Sequence, residues 1–237
     1  IKRKQKESFI NKNFSSQILN EKFIYFPLTY EPERMVLMGA PYYSNQISVI
    51  SNIAKSIPVE FILYVKEHPG IKAEGWRNIS FYQQIIDLPN VKLIHPSVSH
   101  IELIEKSSLV MTIRGTAGLE AAFYNKPSII FSDDSGYSGL HSVFVVKDIN
   151  NLPSIIRNWF QRDIDVDELN KYVEYTDNNS FYFDHVGFTS ELAKRFNFGA
   201  GYMTQVRIEP NEMMDFLSEF DTIFSNLANM VWVVLLY

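Results

Sequence analysis

Short apolar segments alternate with segments of helical periodicity through most of the chain. The strand-like segments are rich in Val, Ile, Phe and Tyr and lie at 22–28, 59–65, 90–94, 109–113, 127–131 and 142–146. Two of them contain the runs "FILYV" and "SIIF", which are apolar throughout, as expected of strands buried on both faces. This alternation predicts an α/β fold with a doubly wound, Rossmann-like parallel sheet.

The segments between these strands have the pattern of helices that bury one face. We predict helices at 45–57, 81–87, 99–107 and 151–161. In the first of them, apolar residues recur at intervals of three or four positions. In the third, Ser99 precedes Glu102 by three residues, which is the spacing of a capping box, so Ser99 is the expected N-cap.

The change of pattern along the chain predicts three regions. Residues 1–21 form a basic N-terminal segment or linker remnant, and residues 22–162 form a Rossmann-like domain. Residues 163–237 form a C-terminal helical and irregular segment that packs on the domain. Within it, 163–205 is expected to be irregular and aromatic-rich, and one long amphipathic helix is expected from Pro210 onward.

Composition narrows the classes of function. The 237 residues carry a net charge of -5, which argues against nucleic-acid binding through general basicity. The absence of cysteine excludes disulfides, thiolate nucleophiles and cysteine zinc sites, and it is typical of a cytosolic protein. No apolar run approaches the ~18 residues of a membrane span. We therefore expect a cytoplasmic protein, free or held peripherally at the inner face of the membrane.

A glycine turn follows the fourth strand and carries the most suggestive group of residues: Arg114, Gly115, Thr116, Gly118 and Glu120. Ligands of doubly wound sheets bind beyond the carboxyl ends of the strands. There the glycines would let the backbone approach a phosphate, Thr116 would add a hydroxyl, and Glu120 would accept hydrogen bonds from a ribose. The alternative is that both glycines only permit a tight turn.

Lys66, His68 and Pro69 follow the second strand and are the other main candidates. Side chains can converge at this strand end, where Lys66 and His68 would contact phosphate. His68 is also the candidate catalytic residue, because histidine exchanges protons near neutral pH. A structural role for the histidine is the alternative.

Weaker candidates lie after the first and third strands. Glu31, Glu33 and Arg34 suit sugar or phosphate contacts, and His95 and Ser97 could line the same cleft. A solvated loop and a simple turn are the respective alternatives. Asp133 and Asp134 lack further ligands at convincing spacing, so we predict neither a metal site nor a cofactor.

Four motifs together resemble the bacterial capsule polysaccharide biosynthesis family, which includes the Kdo transferases that build the lipid linker of capsules. They occur in the family's order within residues 22–135 and read "YFPLTYEPE", "YVKEHP", "NVKLIHPSVS" and "TIRGTAGLEAAFYNKPSIIF". The resemblance implies a GT-B glycosyltransferase, of which this chain would be the C-terminal, donor-binding half. In that fold the acceptor domain commonly supplies the catalytic acid or base. The short segment before the first strand therefore predicts a fragment, a donor-binding half or a member with a degraded N-terminus.

The resemblance also assigns roles to residues of this chain. His68 and Pro69 match the His-Pro motif that contacts the cytidine nucleotide, while Thr116, Gly118 and Glu120 match the segment that holds phosphate and nucleotide. Arg114 and Gly115 depart from the more usual asparagine or glycine followed by serine.

The function expected from this resemblance is transfer of a sugar from a nucleotide donor, with a CMP-linked, Kdo-like donor favoured. The acceptor would be a glycolipid or polysaccharide, and association with a membrane or an assembly complex is compatible with it. A CDP-glycerol-type glycerophosphotransferase of teichoic acid synthesis is the alternative within enzymes, ahead of a nucleotide-sugar epimerase. A non-catalytic nucleotide-sugar-binding module is the alternative outside them.

Overall fold

The computed structural model describes residues 2–30, 34–72, 75–196 and 208–235, and six strands of this part form one sheet. The strands are β1 Phe23–Pro27, β2 Ile62–Lys66, β3 Val91–Ile94, β4 Leu109–Thr112, β5 Ser128–Ile130 and β6 Val143–Val145. Each coincides with one of the predicted apolar segments. All neighbouring pairs are parallel.

The strand order is β3-β2-β1-β4-β5-β6, which is the order of the Rossmann fold. The prediction of a doubly wound, Rossmann-like parallel sheet is therefore confirmed. β1 lies between β2 and β4, so the chain winds outward in one direction from β1 to β3 and in the other from β4 to β6. The switch of direction falls between β1 and β4.

Helices cover both faces of the sheet because consecutive strand residues alternate between two apolar layers. Ile24 and Phe26 of β1 belong to the larger layer, whereas Phe23 and Tyr25 belong to the other. The helices of this region are α1 Lys2–Asn13, α2 Arg34–Gly39, α3 Gln46–Ser56, α4 Ile79–Ile86, α5 His100–Lys106, α6 Ala117–Phe123 and α7 Leu152–Trp159. Residues of α1, α3, α4 and α7 contribute to the larger layer, and residues of α5 and α6 to the smaller.

The predicted cap of α5 is confirmed. The Ser99 hydroxyl accepts the Glu102 N–H at 3.3 Å, which satisfies one of the free amide groups of the first turn. The carboxylate of Glu102 pairs with Lys106 one turn later, at 2.7 Å. The start of α5 is thereby fixed, and with it the position of His100, its first residue.

The chain divides into two compact units, Ile1–Leu169 and Asn170–Tyr237. Two expectations for the C-terminal region are wrong within the described residues. The stretch expected to be irregular contains α8 Val166–Asn178 and α9 His185–Phe196. The expected single helix is two helices, α10 Pro210–Ser218 and α11 Asp221–Leu235.

An aromatic cluster accounts for this helical packing. The ring of Phe188 on α9 lies 5.5 Å from Phe216, 4.9 Å from Phe220 and 6.3 Å from Phe224. These three residues, which lie on both sides of the turn between α10 and α11, therefore all contact one ring. None of the described helices combines the length and apolar character that crossing a bilayer requires.

Candidate functional site

A cleft of about 550 Å³ lies at the carboxyl ends of β1, β2 and β4, next to the point where the winding of the sheet changes direction. Ligands of open α/β sheets bind at this position. The cleft is lined by Tyr25, Pro27, Leu28, Thr29, Tyr30, Lys66, Glu67, His68, Pro69, His100, Thr112, Arg114, Gly115, Thr116 and Ala117. The structure thus brings together the predicted residues Lys66, His68, Pro69, Arg114, Gly115 and Thr116.

Lys66 supplies a buried positive charge to the cleft. It is the last residue of β2 and is only 5% exposed. Within the described part of the chain, its ammonium group has no hydrogen-bond partner. Burial lowers the pKa of Lys66, and the neighbouring Glu67 carboxylate opposes this shift in part. A buried cation without a bonded anion is energetically costly, so an anionic ligand would stabilise it.

Thr29 offers a hydroxyl at the end of β1. Its backbone is clamped by the Gln46 side chain, which accepts the Thr29 N–H at 2.8 Å and donates to the Thr29 carbonyl at 3.1 Å. The residue is buried, and its Oγ1 has no partner among the described atoms. A buried hydroxyl of this kind is available to a ligand in the cleft.

His68 lies at the exposed end of the loop after β2. Its Nδ1 accepts the Gly70 N–H at 3.1 Å, so a neutral ring carries its hydrogen on Nε2. The Tyr30 ring meets the imidazole edge-on at 5.7 Å, and Pro69 begins a 3₁₀ turn, Pro69–Lys72. These contacts orient His68 as a hydrogen-bond donor through Nε2.

A buried ion pair, one partner of which lines the cleft, connects the ends of β1 and β2, and it was not predicted from the sequence. Glu67 is 1% exposed, and it accepts from Arg77 Nε at 2.9 Å and from the Tyr82 hydroxyl at 2.7 Å. Its other oxygen accepts the His68 N–H at 2.8 Å. Arg77 also donates to the Thr29 carbonyl at 2.5 Å. One network therefore fixes the ends of β1 and β2 relative to each other.

The predicted glycine turn is built differently from the expectation. The Gly115 N–H donates to Thr112 Oγ1 at 3.1 Å, and the Gly115 carbonyl accepts from the Tyr137 hydroxyl. A Cβ at Gly115 would lie 2.9 Å from Thr112 Oγ1, so glycine is needed for this bond inside the fold. The backbone amide of Gly115 is therefore used by the protein itself.

Arg114 spans the edge of the cleft. Its Nη2 donates to the backbone carbonyl of Asp134 at 2.8 Å and to the Asp134 carboxylate at 3.0 Å. The guanidinium is mostly buried, and its Nε has no partner in the described part of the structure. Arg114 thus brings a second positive charge to the lining.

Gly118 and Glu120 are not among the lining residues. A Cβ at Gly118 would lie 2.7 Å from the Tyr137 hydroxyl and 3.0 Å from Ile130, so this glycine permits close packing on the sheet. Glu120 lies next to the lining residue Thr116, and its side chain is partly exposed; its Oε1 accepts from Thr116 Oγ1 at 2.6 Å.

A hydrogen-bonded chain links Glu120 to β1 through a histidine that sequence reasoning missed. His100 Nε2 bonds Glu120 Oε2 at 2.9 Å, and His100 Nδ1 bonds the Tyr25 hydroxyl at 2.7 Å. Tyr25 is 1% exposed, and burial, with the charge of Glu120, raises the pKa of its hydroxyl. In the sequence, His100 is only the residue after the expected N-cap Ser99, and no spacing signal connects it to Tyr25.

A comparison with protein-family models identifies the family of this chain. The model described as capsule polysaccharide biosynthesis protein matches residues 2–139, more than half of the 237-residue chain. The chain belongs to the capsule polysaccharide biosynthesis family. The matched region contains strands β1 to β5 and every residue that lines the cleft.

Solved structures similar to this capsule-family chain include two Kdo transferases and an epimerase. The beta Kdo 2,7 transferase KpsC of Thermosulfurimonas dismutans is 14% identical with a TM-score of 0.44, over 62% of this chain and 47% of that one. The beta Kdo 2,4 transferase KpsC of that organism is 14% identical with a TM-score of 0.45, over 63% and 50%. The UDP-GlcNAc 2-epimerase of Methanocaldococcus jannaschii is 15% identical with a TM-score of 0.48, over 68% and 44%.

The chain spans half or less of the length of these three structures. Among curated proteins, none matches it significantly.

The remaining predicted residues of this capsule-family chain are not among those lining the cleft. His95 bonds Ser97 Oγ at 2.7 Å and Asn11 of α1 at 3.1 Å, so both residues belong to a turn against the N-terminal helix. Glu31 and Glu33 lie outside the described residues, and Arg34 is the first residue of α2.

Asp133 and Asp134 are engaged in ion pairs. Asp133 bonds Lys147 at 2.6 Å, which lowers the pKa of the Asp133 carboxyl, and Asp134 pairs with Arg114. Across the described ranges, no cluster of three or more metal-ligating side chains is found.

Proposed function

We propose that the cleft binds the nucleotide-activated sugar of a capsular polysaccharide glycosyltransferase, with a CMP-linked, Kdo-like sugar as the donor. The observation that carries this proposal is the buried Lys66 ammonium, which has no hydrogen-bonded anion within the described residues and faces a cleft at the switch point of the sheet. Family membership supplies the biosynthetic context. The preference for cytidine rests on the resemblance of the His-Pro and glycine-turn motifs.

The donor phosphate would lie between the cationic groups of the lining. Lys66 provides an ammonium group, His68 provides an Nε2–H donor, and Arg114 provides a guanidinium group at the cleft edge. Transfer of the sugar breaks the bond between the anomeric carbon and a phosphate oxygen, and the electron pair remains on the phosphate. Fixed positive charges stabilise the charge that develops there, which lowers the barrier.

The sugar acceptor would be a glycolipid or a growing polysaccharide. Its hydroxyl oxygen would attack the anomeric carbon and release its proton to a general base. Glu120 is the group that we assign to the ribose of the nucleotide, because its carboxylate accepts hydrogen bonds only, is partly exposed and bonds the lining residue Thr116.

Titration calorimetry of the full chain with CMP, CDP, UDP and ADP tests this function. We expect CMP and CDP to bind more tightly than UDP and ADP. Equal affinity for all four, or no binding of any, would contradict the proposal.

A turnover assay then separates the enzyme classes. Release of CMP from CMP-Kdo in the presence of acceptor supports the Kdo-like transferase, whereas release from CDP-glycerol supports the glycerophosphotransferase. Binding without turnover of either donor supports a nucleotide-sugar-binding module.

A further inference from the structure

Four side chains from three elements form one continuous hydrogen-bonded chain along a wall of the cleft. Tyr25 comes from β1, His100 from the start of α5, Glu120 from α6 and Thr116 from the turn before α6. The bonds run from Tyr25 to His100 at 2.7 Å, from His100 to Glu120 at 2.9 Å and from Thr116 to Glu120 at 2.6 Å. We name these four side chains the acceptor wall, because their hydroxyl and carboxylate oxygens can accept hydrogen bonds from a ligand.

The positions of the hydrogens follow from the carboxylate of Glu120. An ionised carboxylate accepts only, so both Thr116 Oγ1 and His100 Nε2 must donate to it. With its hydrogen on Nε2, a neutral His100 ring has a lone pair on Nδ1. The buried Tyr25 hydroxyl then donates to Nδ1, which is its natural role because burial keeps it protonated.

This assignment changes what the wall presents to a ligand. The hydroxyl groups of Tyr25 and Thr116 each donate their hydrogen within the acceptor wall, to His100 and Glu120 respectively. Only lone pairs therefore remain on the two oxygens for a ligand. Both residues line the cleft. The loop after β2 supplies donors to the same lining, the Lys66 ammonium and the His68 Nε2–H, and Arg114 adds a guanidinium group next to the wall. The cleft therefore offers cationic donors, which suit phosphate, together with an acceptor wall, which suits hydroxyl groups.

We propose that His100, held by Tyr25, is a positioning residue that keeps Thr116 and Glu120 as acceptors for the ribose hydroxyls of the bound nucleotide. This inference rests on the proposed nucleotide site and assigns a further residue to it. Without the His100 imidazole, the Glu120 carboxylate loses one of its two donors and is free to turn away from Thr116. Thr116 would then regain a rotatable hydroxyl, and the wall would lose its selectivity for a diol.

The test compares CMP with 2′,3′-dideoxy-CMP, which keeps the base and phosphate but lacks both ribose hydroxyls. For the wild-type full chain, we expect the dideoxy analogue to bind about tenfold or more weakly, as expected when hydrogen bonds to a charged group are lost. In His100→Leu, affinity for CMP should fall until the two ligands bind within about twofold of each other, while the dideoxy analogue binds as before.

Three further variants distinguish positioning from damage to the fold. His100→Gln keeps a donor and an acceptor on one side chain and should restore part of the discrimination. Tyr25→Phe should reduce it, because Nδ1 loses its donor. Tyr64→Phe is the matched control, since Tyr64 is a buried tyrosine on the neighbouring strand whose hydroxyl bonds Glu21 outside the cleft. It should leave the discrimination unchanged.

The outcomes separate the positioning role of His100 from the existence of the nucleotide site. If wild-type protein binds CMP and its dideoxy analogue equally, or if His100→Leu still discriminates between them, the positioning role is wrong and the nucleotide site stands. An equal loss of affinity for both ligands in His100→Leu also overturns the positioning role, because it indicates general damage. If wild-type protein binds neither ligand, the proposed function itself fails, and the role of His100 falls with it.

Discussion

Lys66→Met should weaken CMP binding by about ten- to a hundredfold, which corresponds to the roughly 1.5–3 kcal/mol of a hydrogen bond to a charged group. The physical reason is that the buried Lys66 ammonium has no bonded anion among the described residues until a ligand phosphate arrives. Methionine retains most of the length and apolar character of the lysine stem. Calorimetric titration of the two proteins with CMP measures the effect.

The same substitution should raise the melting temperature of the unliganded protein. Because burial lowers the pKa of Lys66, the folded protein holds this proton less tightly than the unfolded chain does. The resulting destabilisation is complete below the folded pKa and disappears as the pH rises past the ordinary lysine value of 10.5. The gain in stability from Lys66→Met should therefore have its full size at neutral pH and vanish in strong alkali.

Lys92→Met is the matched control for Lys66→Met. Lys92 is also a lysine of the sheet, on β3, but its ammonium group already pairs with Glu21 at 2.6 Å, and it is absent from the cleft lining. It should leave CMP affinity unchanged and should not raise the melting temperature. If both variants bind CMP as the wild type does, the phosphate does not contact Lys66.

Arg77→Met should lower the free energy of unfolding by about 3–5 kcal/mol, the loss typical when one partner of a buried ion pair is removed. The Glu67 side chain is fully buried and Arg77 nearly so, hence the carboxylate would be left without its cation. The Thr29 carbonyl would lose a donor at the same time. Chemical denaturation monitored by circular dichroism measures the change.

Two further variants show whether loss of the ion pair causes the destabilisation of Arg77→Met. Lys106→Met breaks an exposed pair with Glu102 on α5 and should cost no more than about 0.5 kcal/mol. The double variant Glu67→Gln with Arg77→Met removes both charges and should be more stable than Arg77→Met alone. A double variant that is less stable than the single one would mean that packing, rather than the unpaired carboxylate, dominates the loss.

The parallel sheet could be predicted because local sequence and global fold agree there. Strands buried on both faces must be apolar throughout, and short strands separated by amphipathic helices leave little choice of topology. The C-terminal region could not be predicted in the same way. Its helices are organised by Phe188 and the phenylalanines of α10 and α11, which are distant in sequence, so the turn at Glu219 and Phe220 has no strong local signal.

The candidate site was predictable where it depends on strand ends and not where it depends on side-chain contacts. Lys66, His68 and the glycine turn follow strands, and the carboxyl ends of parallel strands meet at one edge. The partners of Glu120 and Glu67 come from other elements: His100 from α5, and Arg77 from the segment before α4. No regular sequence spacing indicates a contact between side chains of two different elements.

A crystal structure of the full chain with CMP bound would show directly whether this cleft is a nucleotide site. We expect the nucleotide in the cleft, with a phosphate oxygen within hydrogen-bond distance of Lys66 Nζ and the ribose hydroxyls toward Thr116 and Glu120. Nucleotide bound elsewhere, or in the cleft with its phosphate away from Lys66, would contradict this expectation.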